Sequence, residues 1–380
     1  MAGQLIAGGR VVTPEGVLDP GWVLVEDGAI GAVGTGEAPG DVEVVDASGG
    51  WVVPGFVDIH CHGGGGESFT DTDPARVRRA VAAHRRHGTT TQLASLVSRP
   101  VPELVNQVAA LAELTADGLI AGIHLEGPFL SAARCGAHDP SVLRPPDDES
   151  VSALLAAGRG AIRMVTLAPE LDGALTAVKR LTSAGVLAAI GHTDATEALV
   201  LPAIDAGATV ATHLFNGMRP LHHREPGPIG TLLDDERVTV ELICDLVHVH
   251  PSVIRMAARH AGPTRTVLVT DAIAAAGVGD GVYDVGGLAV TVTDGVPTLA
   301  GGASLAGSTL TMDAAFRNLV RGCGLSIREA VAATATQPAE LLGLAKTTGS
   351  LSAGLTADLV ILDDNLKPTA VMYQGGWVED

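Results

Sequence analysis

The middle of the chain alternates near-continuous apolar runs with Ala-rich stretches of helical period. The apolar runs predict strands at residues 52–60, Thr89–Ser95, Leu119–Glu126, Ile162–Ala168, Val186–His192, Thr209–His213, Val238–Asp245 and Thr266–Asp271. Helical patterns separate most of them, at Pro74–His87, Pro102–Thr115, Leu175–Ala184 and Pro251–Ala261. Strands that are apolar along their whole length are buried on both faces, as in a parallel sheet covered by helices. Eight such units predict an α/β fold, a (β/α)8 TIM barrel. A doubly wound open sheet is the alternative; against it, no G-x-G-x-x-G turn follows the first strand.

The two ends read differently. Short apolar runs such as Val23–Val25 and Val42–Val45 lie between turn signals at Gly8-Gly9, Pro20-Gly21, Asp27-Gly28 and Pro39-Gly40. Residues 349–362 and 370–378 have the same character. The expectation is a small β-sandwich domain built from both termini, residues 1–51 plus 347–380, beside a barrel domain at 52–346.

Residues able to do chemistry gather at the C-terminal ends of the predicted strands, where a barrel keeps its active site. The first run closes as Pro54-Gly-Phe-Val-Asp-Ile-His60-Cys-His62, and alternation places Asp58, His60 and His62 on one face. Glu126, His192, His213 and Asp271 close later runs. Imidazole and carboxylate suit zinc and similar divalent ions. Such an ion acidifies water and polarises a carbonyl, which leaves Asp271 as general base and then general acid. An ordinary turn or helix-capping aspartate is the plainer reading of Asp271. His124 shares a strand face with Glu126 and is expected behind the ligands. His84, His87, His250 and His260 fall on or beside outer helices and read as structural or solvated, and His222 and His223 lie in a loop before Arg224.

Composition narrows the partners. The chain of 380 residues is 46% hydrophobic and 18% charged, as a folded globular protein is. A formal charge of −19 argues against nucleic acid and anionic membranes, so an anionic substrate needs a local basic group. The four cysteines, Cys61, Cys135, Cys244 and Cys323, lack C-x-x-C spacing and read as reduced thiols. With no secretory h-region and no long apolar span, the expected location is the cytoplasm.

A run of local sequences carries a resemblance over nearly the full length. These are the His60-Cys-His62-Gly stretch, Gly122-Ile-His-Leu-Glu126-Gly-Pro-Phe, Gly136-Ala-His138-Asp-Pro and Leu167-Ala-Pro-Glu170. They continue with Gly191-His192-Thr, Thr212-His213-Leu-Phe-Asn216-Gly-Met, Arg224-Glu-Pro-Gly, Asp245-Leu-Val-His248, Val269-Thr-Asp271-Ala and Leu305-Ala-Gly-Ser308. In this order the chain resembles the amidohydrolase superfamily, and within it the N-acetylglucosamine-6-phosphate deacetylases. The resemblance implies metal-dependent hydrolysis of the acetamide of N-acetylglucosamine 6-phosphate, releasing acetate and glucosamine 6-phosphate.

It further implies that Glu126, His192 and His213 hold the principal metal and that Asp271 is the acid/base. His138 would bond the acetamido carbonyl and stabilise the oxyanion. Asn216, the backbone of Gly217 and Arg224 would hold the phosphate. Ala137, His138, Asp245, His248 and the segment Leu305, Ala306, Gly307 and Ser308 would line the sugar pocket. With His60 and His62 intact, one or two divalent ions per subunit are expected, zinc first, with manganese, iron or cobalt as alternatives. The resemblance also implies a homodimer in which Arg224 reaches the neighbouring subunit's site.

Two other readings are weighed. A cyclic-amide hydrolase of the dihydroorotase or hydantoinase kind shares His-x-His but bridges its metals with a carboxylated lysine on the fourth strand. The only lysines here are Lys179, Lys346 and Lys367, and none ends a predicted strand. A non-catalytic metal-binding protein on the same fold would leave Asp271 and His138 without a task.

Overall fold

The computed structural model describes residues 3–38, 42–302 and 304–379; the turn signal at Pro39-Gly40 lies outside them. An eight-stranded sheet holds the predicted barrel strands, each beside its predecessor in the chain. They are β1 (Phe56–Asp58), β2 (Thr89–Val97), β3 (Gly122–Glu126), β4 (Ile162–Leu167), β5 (Leu187–Ile190), β6 (Ala208–Ala211), β7 (Thr239–Ile243) and β8 (Thr266–Val269). Parallel ladders join β2 through β8, and β1 completes the order next to β2. Past the strand ends the ring is drawn together by backbone bonds from Asp271 N–H to His60 O and from His62 N–H to Ala272 O, both 2.8 Å. The predicted (β/α)8 barrel is therefore the observed one. Every residue of β3 and β8 is buried, as a sheet covered on both faces requires.

The first predicted strand, residues 52–60, is divided between two sheets. Trp51–Pro54 pairs antiparallel with Leu359–Leu362 and parallel with the Gln4–Val12 strand, whereas Phe56–Asp58 enters the barrel. Gly55 is the joint. Its N–H bonds Asp358 O at 2.9 Å while the next N–H, of Phe56, bonds Gly88 O at 2.9 Å. A Cβ at position 55 would lie 2.3 Å from Thr90 Oγ1, so only glycine fits there. His60 and His62 follow β1 in the mouth loop rather than on the strand itself.

The terminal strands form one eight-stranded ladder carrying both ends of the chain, around a core that includes Ile6, Val23, Val52, Leu359 and Met372. Helix Pro251–Ala261 has the expected limits, with proline in its first turn and Gly262 (φ 74°) closing it. Helices Pro74–Arg86, Val101–Ala116 and Ala174–Ser183 lie within a residue of expectation. Glu197–Asp205 is a helix that was not anticipated, and Pro202 inside it obscures the pattern. A three-stranded antiparallel sheet at Gly281–Val285, Leu288–Thr293 and Val296–Leu299 was also not anticipated. It buries Val285, Val290 and Val292 in a cluster with Ile273 and Ala306.

By contact the chain divides into two compact units. Met1–Asp58, His84–Thr91 and Thr311–Asp380 form one; Ile59–Ala83 and Gln92–Leu310 form the other. Every candidate site residue belongs to the second.

Candidate active site

Glu126, at the end of β3, is the hub. Its Oε1 lies 3.0 Å from His192 Nε2 and 2.8 Å from His213 Nε2. Its Oε2 lies 3.1 Å from His62 Nε2, 3.4 Å from His138 Nε2 and 3.6 Å from His60 Nε2. Asp271 Oδ1, past the end of β8, is 3.2 Å from His62 Nε2 and 3.4 Å from His60 Nε2. Two groups share Glu126: His60, His62 and Asp271 on one side, His192 and His213 on the other, with ligand atoms in each group within 4.8 Å of one another. All of these side chains are buried.

The partners of the other ring nitrogens determine where each proton sits. His62 Nδ1 faces the carbonyl of Ser95 at 3.2 Å, and His192 Nδ1 faces that of Arg134 at 2.8 Å. A carbonyl only accepts, so both Nδ1 atoms carry hydrogen, and Nε2 is the atom each ring would present to a cation. His60 Nδ1 donates to Glu241 Oε2 at 3.2 Å with the same result. His138 is the opposite. Its Nδ1 accepts the backbone N–H of Ser98 at 3.2 Å, which leaves its proton on Nε2, facing the cluster. The site therefore holds several inward Nε2 atoms suited to a cation and one, on His138, that is fixed as a donor.

Charge is set as sharply. Burial works against a charged His60, yet Glu126 and Asp271 hold its pKa well above the ordinary value. His62 is raised to about 9 against the same burial, by its bonds to Asp271 and Glu126. Burial would raise Glu126 and Asp271, but the surrounding imidazoles take Glu126 well below its usual range and Asp271 down to about 2. Burial lowers His138 and keeps it neutral. Among the described residues no lysine or arginine bonds Glu126, Asp271 or Glu241. A pocket dense in carboxylates and imidazoles, with no lysine or arginine bonded to its carboxylates among the described residues, fits a divalent metal ion that would displace the imidazole protons.

Three of these residues sit in the left-handed backbone region that side chains rarely adopt: His192 (φ 45°), His213 (φ 28°) and Asp271 (φ 49°). Each lies just past a barrel strand, where the chain must turn sharply to aim a side chain at the axis. Such strain persists only where surrounding contacts enforce it, and it clusters at functional sites. Gly307 (φ 58°) braces Asp271, since a Cβ there would meet Asp271 O at 2.8 Å. Gly217 makes room for His192, since a Cβ there would lie 2.7 Å from His192 Nδ1.

A cavity of about 300 Å³ opens over the cluster. Of the expected substrate contacts, Ala137, His138, Asn216, Gly217, His248, Leu305 and Gly307 line it. Asp245 stands behind His248, accepting from its Nδ1 at 2.7 Å. Ala306 and Ser308 are correspondingly corrected from wall to support: Ala306 packs with Ile273 and Val290, and Ser308 Oγ donates to Thr270 O at 2.6 Å. Arg224 is exposed, beside His223 at 2.8 Å, and is not brought to this cavity within one chain. His124 lies behind the ligands as expected, bonded to Ser95 Oγ and Thr166 Oγ1 at 2.9 Å each, and burial keeps its pKa well below normal. His250 caps a helix, while His87 and His260 pair with Asp313 and Asp234. Cys135 is a free, half-buried thiol in the loop between Glu126 and His138. The sequence reading passed over Glu241, Ser95, Ser98 and Arg134; a lone glutamate within the apolar run of β7 was the one visible signal.

A parallel barrel whose mouth presents a carboxylate-bridged histidine cluster defines the class of metal-dependent hydrolases built on this fold. The amidohydrolase family model matches residues 51–378, and the chain belongs to that family. It is 36% identical to an N-acetylgalactosamine-6-phosphate deacetylase of Escherichia coli O157:H7, covering 96% of this chain and 97% of that one. It is also 36% identical to an N-acetylglucosamine-6-phosphate deacetylase of Bacillus subtilis (strain 168), covering 96% and 94%. Among solved structures, an aspartate-to-alanine variant of the Mycobacterium smegmatis N-acetyl-D-glucosamine-6-phosphate deacetylase, in complex with N-acetyl-D-glucosamine-6-phosphate, superposes with a TM-score of 0.97 at 48% identity, covering 100% of both chains. The cyclic-amide reading has no residue to carry it, because β4 contains no lysine and Lys179 lies in the helix Ala174–Ser183. No helix among the described residues is long and apolar enough to cross a membrane.

Proposed function

We propose that the chain hydrolyses the acetamide of N-acetylglucosamine 6-phosphate, releasing acetate and glucosamine 6-phosphate. The observation that carries this reading is the opposed orientation of histidines within one cavity: His60, His62 and His192, each with Nδ1 occupied, aim Nε2 at the carboxylates as ligands for a cation, while His138 aims an N–H inward beside an ionised Asp271. Amide hydrolysis needs these three things together. Glu126, His192 and His213 would hold one cation, and His60 and His62 with Glu126 a second; zinc is the first choice, with manganese, iron or cobalt as alternatives. When bound, such an ion supplies Lewis acidity, polarising the carbonyl and making water acidic near neutral pH.

The chain's own groups do the rest. Asp271, held ionised, takes a proton from the attacking water and returns it to the departing amine. His138 Nε2–H donates to the oxygen on which charge develops, and it is already oriented by Ser98. Asn216 and the Gly217 backbone receive the phosphate, with Arg224 contributed by the neighbouring subunit of a homodimer. His248, held by Asp245, shapes the sugar pocket with Leu305 and Gly307, which Ala306 and Ser308 support from behind. Cysteines held as thiols accord with a cytoplasmic enzyme.

Since relatives named for either hexosamine phosphate are found at 36% identity, the test compares both. Acetate release is measured with N-acetylglucosamine 6-phosphate, N-acetylgalactosamine 6-phosphate and unphosphorylated N-acetylglucosamine, beside elemental analysis of the protein. The first should be turned over best and the unphosphorylated sugar worst. No acetate from any of the three would leave only the metal-binding reading.

A further inference from the structure

Glu241 is an acidic residue in the middle of β7, within the otherwise apolar Thr-Val-Glu-Leu-Ile stretch, and it is fully buried. Its Oε2 accepts twice: from His60 Nδ1 at 3.2 Å and from the backbone N–H of His213 at 3.1 Å. Its Oε1 has no partner among the described residues. One oxygen thus holds the ring of a residue in the His60–His62 group and the strained backbone of a residue in the Glu126–His192–His213 group.

A buried carboxylate with an unpartnered oxygen is costly, and a neutral acceptor would satisfy the same two donors. By occupying Nδ1, however, the Glu241 carboxylate orients the His60 ring, leaves Nε2 as the atom that meets a cation and strengthens it as a ligand. It also adds a carboxylate to a cluster whose carboxylates no arginine or lysine bonds among the described residues. We propose that Glu241 is a positioning residue, acting through His60 to set the affinity of the cation position at His60–His62 and tying it to the neighbouring position through His213. This rests on the reading of the site as one for two ions, and it adds a determinant of their occupancy.

The test strips the full-length protein of metal and titrates it with Zn²⁺ against a chromophoric chelator, for wild type, Glu241→Gln and His60→Asn. Wild type should take up two ions per subunit. Glu241→Gln should bind the second ion ~10–100-fold more weakly, with the first little changed. In the His60→Asn background, adding Glu241→Gln should cost nothing further at the second position, because the effect runs through His60. Melting temperature separates this from a merely structural role. Metal-free Glu241→Gln should melt no lower than metal-free wild type, while gaining less on loading; a lower metal-free melting point with two-ion binding intact would overturn the inference. If Glu241→Gln does not fold, Glu241→Asp, which retracts the carboxylate from His60 and keeps its charge, is read in the same titration. An unchanged second-ion affinity there overturns the proposal. A wild type that holds one ion overturns it together with the two-ion reading, whereas the deacetylase reading stands or falls on acetate release alone.

Discussion

Ser98 donates its backbone N–H to Nδ1 of His138 at 3.2 Å, and that bond makes this ring the opposite of its neighbours. Where Ser95, Arg134 and Glu241 accept from Nδ1 and leave Nε2 to meet a cation beside Glu126, Ser98 fixes an N–H there. Residues of one type thus do two different jobs a few ångströms apart, and the difference lies in the backbone around them.

His138 is accordingly expected to act on the reaction and not on the metal. His138→Asn should lower kcat by ~10²–10³-fold, the cost of losing one oxyanion donor. Metal content should stay at the wild-type level. Steady-state kinetics with elemental analysis of the same preparation checks both, and loss of metal would mark His138 as a ligand instead.

Asp271 is expected to carry the proton transfers. Asp271→Asn is isosteric but cannot accept a proton, so kcat should fall by ~10²–10⁴-fold. The ion held by Glu126, His192 and His213 should remain, and substrate should still bind, which calorimetry on the inactive variant can measure. Near-wild-type turnover would return Asp271 to the role of a turn residue.

Arg224 is exposed and outside its own chain's cavity. Arg224→Ala should raise KM for the phosphorylated sugar with little effect on the unphosphorylated one. Arg224→Ala and Asp271→Asn subunits, mixed, allowed to exchange and assayed at low phosphorylated substrate, should show more activity than either variant alone, because a hybrid dimer restores one complete site. Absence of recovery in a verified hybrid would place Arg224 outside the partner's site.

The Asp245–His248 pair predicts a pH window. Asp245 is lowered from 3.8, burial opposing and the bond to His248 prevailing; His248 is raised from 6.5 by the same bond, again against burial. The depressed carboxylate stabilises above its unfolded pKa and loses that as pH falls through its folded pKa. The raised imidazole stabilises below its unfolded pKa and loses that as pH rises through its folded pKa. Both contributions are therefore complete only between roughly pH 4 and 6.5. Asp245→Asn should cost about 1.5–3 kcal/mol there, the value of a buried charged hydrogen bond, and less in alkaline solution. Thermal melts of both proteins across pH show whether the gap narrows; a gap independent of pH would mean the pair does not ionise.

By itself the sequence determined the barrel, because strands buried on both faces must be apolar throughout and the helices that cover them must be periodic. It also determined the candidate metal residues, because a barrel's chemistry lies at strand ends and His60, His62, Glu126, His192, His213 and Asp271 each close an apolar run. Only the tertiary structure decided the rest. The split at Gly55 depends on which sheet each neighbouring N–H finds, and no local pattern encodes that. The strained turns at His192, His213 and Asp271 are imposed by the ring of strands, not by local preference. The tautomers of the histidines depend on Ser95, Ser98, Arg134 and Glu241, which the sequence scatters between other elements. Ligand type is a property of a side chain and can be read along a chain, whereas the proton it carries is a property of its surroundings and exists only once the barrel has closed.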